Sequence, residues 1–308
     1  PRLAPAWNNL GNAYIQLGNL KEAEKSFCKA IDLHPGFFLS HFLLAKILIE
    51  QKRLQEAEQA LRKAIALKPD FAEGYLNLGI ILKDFSKTNE AEKSIRKAIE
   101  INPNFANAHL NLGVILNGIG KLKEAESSIF RAIELNPKSF KAHFILAANL
   151  IEQRNLKQAV EPLRKTIELA PNFFQAHMSL GAVLKDLGQL KDAELSTRKA
   201  IEINPNSAKA HNNLGNILYG LRNLKDAEFS IRKSIEINPN LSKTHENLGL
   251  ILFEKTEYKQ SLKYFSKSAE LLRGEKNKDS NQKKDILISL AKIEHDIEQF
   301  EYLACQGY

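Results

Sequence analysis

Eight histidines and a recurring pair of carboxylates are the residues of this sequence with the means to do chemistry. A metal centre needs several imidazole or carboxylate ligands about 2 Å from one point. Acid–base catalysis needs two carboxylates in one cleft with different surroundings. Neither requirement is met by the spacing. His41, His109, His143, His177, His211 and His245 are separated by multiples of 34 residues. Each belongs to a separate structural period, so neighbours should lie on the order of 10 Å apart, a helix-packing distance. His34 and His295 are isolated. The Glu-Ala-Glu segments recur in the same way, as a column of the period rather than a single site. Cys28 and Cys305 stand near opposite ends of the chain and offer neither a disulfide framework nor a ligand cluster. They read as free thiols of a reducing, cytoplasmic compartment. No nucleophile elbow, phosphate-cradling glycine loop, zincin motif or dinucleotide fingerprint is present. The expectation is a chain with no catalytic residues, no metal and no cofactor.

The period that disperses these groups is the main content of the sequence. Pro35, Pro69, Pro103, Pro137, Pro171, Pro205 and Pro239 recur every 34 residues. Small residues keep the same register at Gly11, Ala45, Gly79, Gly113, Ala147, Gly181, Gly215 and Gly249. A second small column runs through Ala23, Ala57, Ala91, Ala125, Ala159, Ala193, Ala227 and Ser261. The repeats are then 4–37, 38–71, 72–105, 106–139, 140–173, 174–207, 208–241 and 242–275. In each, the first half has helical spacing, as with Leu78 and Leu82 beside Gly79. The second half does too, as with Ala91, Ile95 and Ala98, and a short polar turn joins them. Repeated Gly and Ala let the two helices cross closely. The proline ends the second helix and restrains the residue before it. Helix, turn, helix, stop is therefore predicted eight times, an all-α repeat array.

These residues resemble the tetratricopeptide repeat family. Repeat 1 matches its signature through Trp7, Leu10, Gly11, Tyr14, Gly18, Ala23, Phe27, Ala30 and Pro35. The resemblance covers residues 4–273 and implies a right-handed superhelical solenoid whose inner wall is formed by first helices. Repeat 8 departs from the pattern, with Ser261 and Ser268 for alanine and Arg273 for proline. The array is expected to occupy 1–273, and 274–284 to be a charged linker. Residues 285–308 follow as an amphipathic helix carrying Ile286, Leu290, Ile293, Ile297 and Phe300, which caps repeat 8 or leads onward. A start at Pro1 and a stop within a helical pattern suggest a piece of a longer protein.

Net charge is +8, which raises nucleic acid as a partner. The basic column Lys29, Lys63, Lys97, Arg131, Lys165, Lys199, Lys233 and Lys267 is interleaved with acids, however. Glu92, Arg96 and Glu100 are spaced for ion pairing along one helix, as are Glu194, Arg198 and Glu202, and Glu228, Arg232 and Glu236. Such a pattern describes a solvated face and argues against nucleic acid, whose footprint shows unopposed cations. No apolar run approaches the ~20 residues that cross a membrane.

The inner wall carries the functional expectation. Asn9, Asn77, Asn111, Asn213 and Asn247 precede the Leu-Gly of their repeats, while Leu43, Ile145 and Ser179 interrupt the column. An amide both donates and accepts, so a spaced series can pair with successive peptide groups of an extended chain. The column resembles the asparagine ladder of O-linked N-acetylglucosamine transferases, which implies a hold on peptide backbones. Beside it Leu76, Ile80, Leu110, Val114, Phe144, Ala148, Met178 and Ala182 make the central wall apolar, with Asn8, Asn12, Asn212 and Asn216 toward the ends. No residue of the column that begins Asn8, Phe42 and Leu76 is basic, so a clamp for acidic C-termini is not expected. The leading expectation is a non-enzymatic scaffold binding a peptide or partner helix in a concave groove. The alternatives are the substrate-recruiting part of a larger protein-modifying enzyme, such as a glycosyltransferase, and an array that self-associates through its end repeats.

Overall fold

The computed structural model describes residues 3–274, which form sixteen α-helices and no strand among the described residues. Gly274, the first residue of the expected linker, instead ends the last helix; the rest of that linker and the C-terminal helix, with His295 and Cys305, lie outside the described residues. Cα packing divides the chain after Arg154 into an N-terminal and a C-terminal half.

The N-terminal half contains α1 (Ala4–Gln16), α2 (Leu20–Leu33), α3 (Phe38–Glu50), α4 (Leu54–Leu67), α5 (Ala72–Asp84), α6 (Thr88–Ile101), α7 (Ala106–Gly118), α8 (Leu122–Leu135) and α9 (Phe140–Glu152). The C-terminal half contains α10 (Leu156–Leu169), α11 (Phe174–Asp186), α12 (Leu190–Ile203), α13 (Ala208–Gly220), α14 (Leu224–Ile237), α15 (Ser242–Glu254) and α16 (Tyr258–Gly274). Within each half the first helix of a repeat pairs with its second, and that second helix packs on the following first helix. First helices of successive repeats also touch, α5 with α7 and α7 with α9, then α11 with α13 and α13 with α15. A stack whose members approach more closely on one side curves toward it, so the first-helix face is the inner one in each half.

The helix crossing explains the small-residue column. A Cβ on Gly79 would collide with Ile95, and one on Gly215 with Ile231; on Gly113 it would come within 2.5 Å of Ile129. In repeat 2 the small residue is Ala45, and the facing position on α4 is Leu61, both fully buried. A leucine is unbranched at Cβ and leaves space where isoleucine does not. The sequence of repeat 5 makes the same choice with Ala147 and Leu163. Packing at the crossing is thus matched residue by residue, glycine with a β-branched or aromatic side chain and alanine with leucine.

Turns are matched less well. Every hairpin turn passes through the left-handed region, at Gly18, Lys52, Ser86, Gly120, Arg154, Gly188, Arg222 and Thr256. Three of these are glycine; the others pay about 1 kcal/mol or more for a side chain there. The first turn shows why the conformation is needed. Gly18 N–H donates to Ile15 O and Asn19 N–H to Tyr14 O, satisfying the carbonyls at the end of α1. One second helix also carries a proline in its interior, Pro162 of α10, where it removes a backbone donor.

Candidate functional site

The inner wall is built from one stripe of each first helix. In the N-terminal half Leu76 is buried, while Ile80, Leu110, Val114 and Phe144 are half-buried and Ala148 is exposed. In the C-terminal half Met178 and Ala182 are half-buried. Apart from Leu76, which belongs to the core, the expected apolar residues are therefore at least partly open to solvent on the first-helix face of each half.

The asparagines differ more than their register suggests. Asn77 Nδ2 donates to Glu73 O at 2.8 Å, and Asn111 Nδ2 to Asn107 O at 2.8 Å. Each amide is pinned to the carbonyl one turn earlier, which fixes its orientation while leaving Oδ1 and one N–H unpaired. Asn9 is exposed and Asn213 half-buried. Asn247 is buried, and its Nδ2 donates to Asn212 Oδ1 at 2.8 Å across the seam between repeats. Asn8 holds the place in repeat 1 that Asn212 holds in repeat 7. It is only 3% exposed, and neither of its amide atoms has a partner. The next repeat supplies Leu43 in the position where Asn247 answers Asn212.

An aromatic cluster that the column reading missed borders this wall. Phe71 lies edge-on to Phe42 at 4.7 Å and to Phe38 at 5.2 Å. Lys68 Nζ sits 4.9 Å from the Phe38 ring centre, and Lys46 Nζ 6.0 Å from that of Phe42. The signal was present as phenylalanine two residues after the repeat-ending proline at Phe37, Phe71, Phe105 and Phe173. Treating that segment as a helix stop concealed it.

The histidines have one shared role. His41, His109, His143, His177, His211 and His245 each bring Nε2 within 2.7–3.0 Å of the carbonyl of the proline that ends the preceding repeat. A carbonyl only accepts, so each Nε2 carries the proton. The column is a row of latches between repeats, a role beyond the packing expected from its spacing. Trp7 and Tyr75 replace it in repeats 1 and 3. Among the described residues no group of three or more His, Cys, Asp or Glu is placed to hold a metal.

The carboxylates are engaged in the outer face: Glu92, Glu194 and Glu228 pair with Arg96, Arg198 and Arg232 as expected, but the later glutamate of each triplet does not. Arg96 bonds Glu92 one turn back, but its second partner is Glu124 of the next repeat, while Glu100 is taken by Lys97 at 2.7 Å. Arg62 likewise joins Glu58 to Glu90. Glu202 and Glu236 pair with Lys199 and Lys233. A bond from Gln153 is the largest influence on Glu126 and, with Lys123, holds its carboxyl below the usual carboxylate range. For Glu228 burial pushes upward, but bonds from Lys255 and Arg232 outweigh it and the carboxyl again lies low. Desolvation, followed by the Glu24 and Asp32 carboxylates, pushes the Cys28 thiol up, away from nucleophilic use. No described helix is long and apolar enough to cross a membrane.

Models of the tetratricopeptide repeat match residues 6–70, 72–105, 95–127, 174–207 and 208–241. No curated protein matches the sequence significantly. Among solved structures, YrrB, described as a TPR protein with an unusual peptide-binding site, is 24% identical. It covers 65% of this chain and 99% of its own, with a TM-score of 0.55. PilF of Pseudomonas aeruginosa is 20% identical, covering 68% and 95%, with a TM-score of 0.61. A tetratricopeptide repeat protein from Parabacteroides merdae is 18% identical, covering 82% and 100%, with a TM-score of 0.59. At these identities the likeness is one of fold. The family models together span more than half of the 308 residues, with the matches at 72–105, 174–207 and 208–241 coinciding with repeats ended by the prolines, and the chain belongs to the tetratricopeptide repeat family.

Proposed function

We propose that this repeat scaffold binds an extended peptide segment of a partner protein on the first-helix face of its N-terminal half. The observation that carries the reading is the state of Asn77 and Asn111. They lie one repeat apart, each is pinned by a bond to its own helix, and each keeps an acceptor and a donor unpaired. Ile80, Leu110 and Val114 stand half-exposed beside them. Paired amides grip the backbone of a ligand, and the apolar strip between them takes its side chains. The likeness of the asparagine column to that of O-linked N-acetylglucosamine transferases supports the same use. So does the peptide-binding site ascribed to YrrB, a relative in fold.

The test is a pull-down comparing the wild type with Asn77→Ala plus Asn111→Ala. Loss of two neutral hydrogen bonds, each contributing about 1 kcal/mol, should weaken capture about tenfold or more with the melting curve unchanged. Lys97→Ala with Lys199→Ala, which removes only ion pairs to Glu100 and Glu202, should capture partners normally. Equal recovery of every partner by the asparagine variant would refute the proposal.

A further inference from the structure

One column of the second helices breaks its own pattern and leaves a charge free. Arg62, Arg96, Arg198 and Arg232 each bond the glutamate one turn earlier on their helix, Glu58, Glu92, Glu194 and Glu228, at 2.7–2.8 Å. Arg62 and Arg96 also reach Glu90 and Glu124 of the following repeat. Arg164 of α10 holds the same position, but Val160 stands one turn earlier. Across the seam Asp192 takes the place of Glu90 and Glu124 and is shorter by a methylene. Among the described residues Arg164 forms no ion pair or hydrogen bond, and neither does Asp192.

Both groups line one recess of about 520 Å³ between α10, α11 and α12. Its other charged groups are occupied, Glu168 by Lys165 at 2.6 Å and Lys199 by Glu202 at 2.7 Å. Nε2 of His177 is held by the Pro171 carbonyl at 2.8 Å. Ile167, Leu180, Leu184 and Leu195 supply an apolar lining. A cation and an anion without partners therefore share one apolar recess. The recess between α6, α7 and α8, about 590 Å³, has Arg96 tied to Glu92 and Glu124 and Arg131 tied to Glu134. That between α12, α13 and α14, about 470 Å³, has Arg198 tied to Glu194. Neither offers a free arginine.

An unpaired guanidinium presents a fork of N–H donors that matches a carboxylate. A carboxylate alone would also meet Asp192, so charge balance requires a cationic group beside it. We propose that this recess binds a free α-amino acid with an apolar side chain. Its carboxylate sits on Arg164, its ammonium on Asp192 and its side chain against Ile167, Leu180 and Leu184. Small-ligand sites share this composition, a mostly apolar lining with a few placed polar groups. The site lies in the C-terminal half and uses none of the residues assigned to peptide binding.

The test is titration calorimetry of the full chain with L-leucine, for which saturable binding is expected. Isocaproate lacks the ammonium and isoamylamine the carboxylate, and each should bind about tenfold or more weakly. Val160→Glu is the decisive variant, because it gives Arg164 the partner that its counterparts have and removes no lining residue. Its melting curve should be unchanged or raised while leucine binding falls about tenfold or more. Arg164→Met should lose binding to a similar degree. Arg198→Met, in a recess whose arginine is already paired, should bind leucine as the wild type does. So should Asn77→Ala with Asn111→Ala, which separates this site from the inner wall. No saturable binding of leucine at millimolar concentration would overturn the proposal. So would isocaproate binding as tightly as leucine, which would leave a site for acidic groups alone, or unchanged binding by Val160→Glu.

Discussion

The two halves of the chain are written in one 34-residue period, yet they expose different chemistry. In the N-terminal half, Asn77 and Asn111 are tied back to their own helix and turn unpaired atoms outward. In the C-terminal half, Asn247 is consumed by Asn212 in a seam. The same column thus keeps unpaired amide atoms in one place and is tied into a seam in the other. The outer faces differ in the opposite sense: the column carrying Gln59, Lys93 and Ser127 is polar in the N-terminal half and becomes Leu195 and Phe229 in the C-terminal half. A repeat architecture permits this because the fold depends on the crossing residues and leaves the remaining columns free to vary.

The largest expected difference between the halves concerns helix integrity. Pro162 sits in the interior of α10, whereas Ser128 stands at that place in α8. Pro162→Ser should raise the stability of the C-terminal half by up to about 3 kcal/mol, seen as a higher denaturant midpoint. If stability is unchanged, the helix has already accommodated the lost donor.

At the crossing the halves should instead behave alike. Gly113→Ala should cost about 1–3 kcal/mol, because its Cβ meets Ile129. Adding Ile129→Leu should recover most of that loss, reproducing the Ala45 and Leu61 pairing; Gly215→Ala with Ile231→Leu should follow suit. Equilibrium unfolding of the single and double variants measures the coupling, and additive losses would refute the matched-crossing account.

A smaller effect tests a seam at which the halves differ. Asn8→Leu removes the buried, unpartnered Asn8 amide and should raise stability by about 1 kcal/mol, whereas Leu43→Asn offers that amide a partner but takes Leu43 out of the core it shares with Ala23, Phe27 and Ile47 and should lower stability.

The smallest effect is a shared pH response. Glu126 in one half and Glu228 in the other are held below the ordinary value of 4.5. A depressed folded value contributes stability above 4.5 that is lost as the pH falls through the depressed value. Both halves should weaken there. Gln153→Ala should flatten the slope in the N-terminal half and Lys255→Met in the C-terminal half, as read from unfolding at a series of pH values.

Much of the architecture was legible because it rests on period and volume. The prolines, Gly79 and its equivalents and the Ala91 column carry the paired helix-turn-helix repeat that the described residues show. The left-handed turn was not legible at Lys52, Ser86 or Arg154, since only three repeats advertise it with glycine. Ion pairing was legible only in part, in the bonds of Arg96, Arg198 and Arg232 to the glutamate one turn back, for a related reason. Spacing within one helix suggested Arg96 with Glu100, but the stack brings Glu124 nearer, and that neighbour belongs to another repeat. That the named residues stand on first helices could be read from register. Their bonding could not, because whether an asparagine is pinned to its helix, shared with a neighbour or left unpaired depends on what the adjacent repeat presents.

Under the proposed function the N-terminal half, through Asn77 and Asn111, does the binding. Affinity of a captured partner segment, titrated against Asn77→Ala plus Asn111→Ala and against Asn213→Ala plus Asn247→Ala, tests it directly. The first pair should weaken binding about tenfold or more and the second should leave it within about twofold. Equal losses, or a larger loss from the second pair, would contradict the claim.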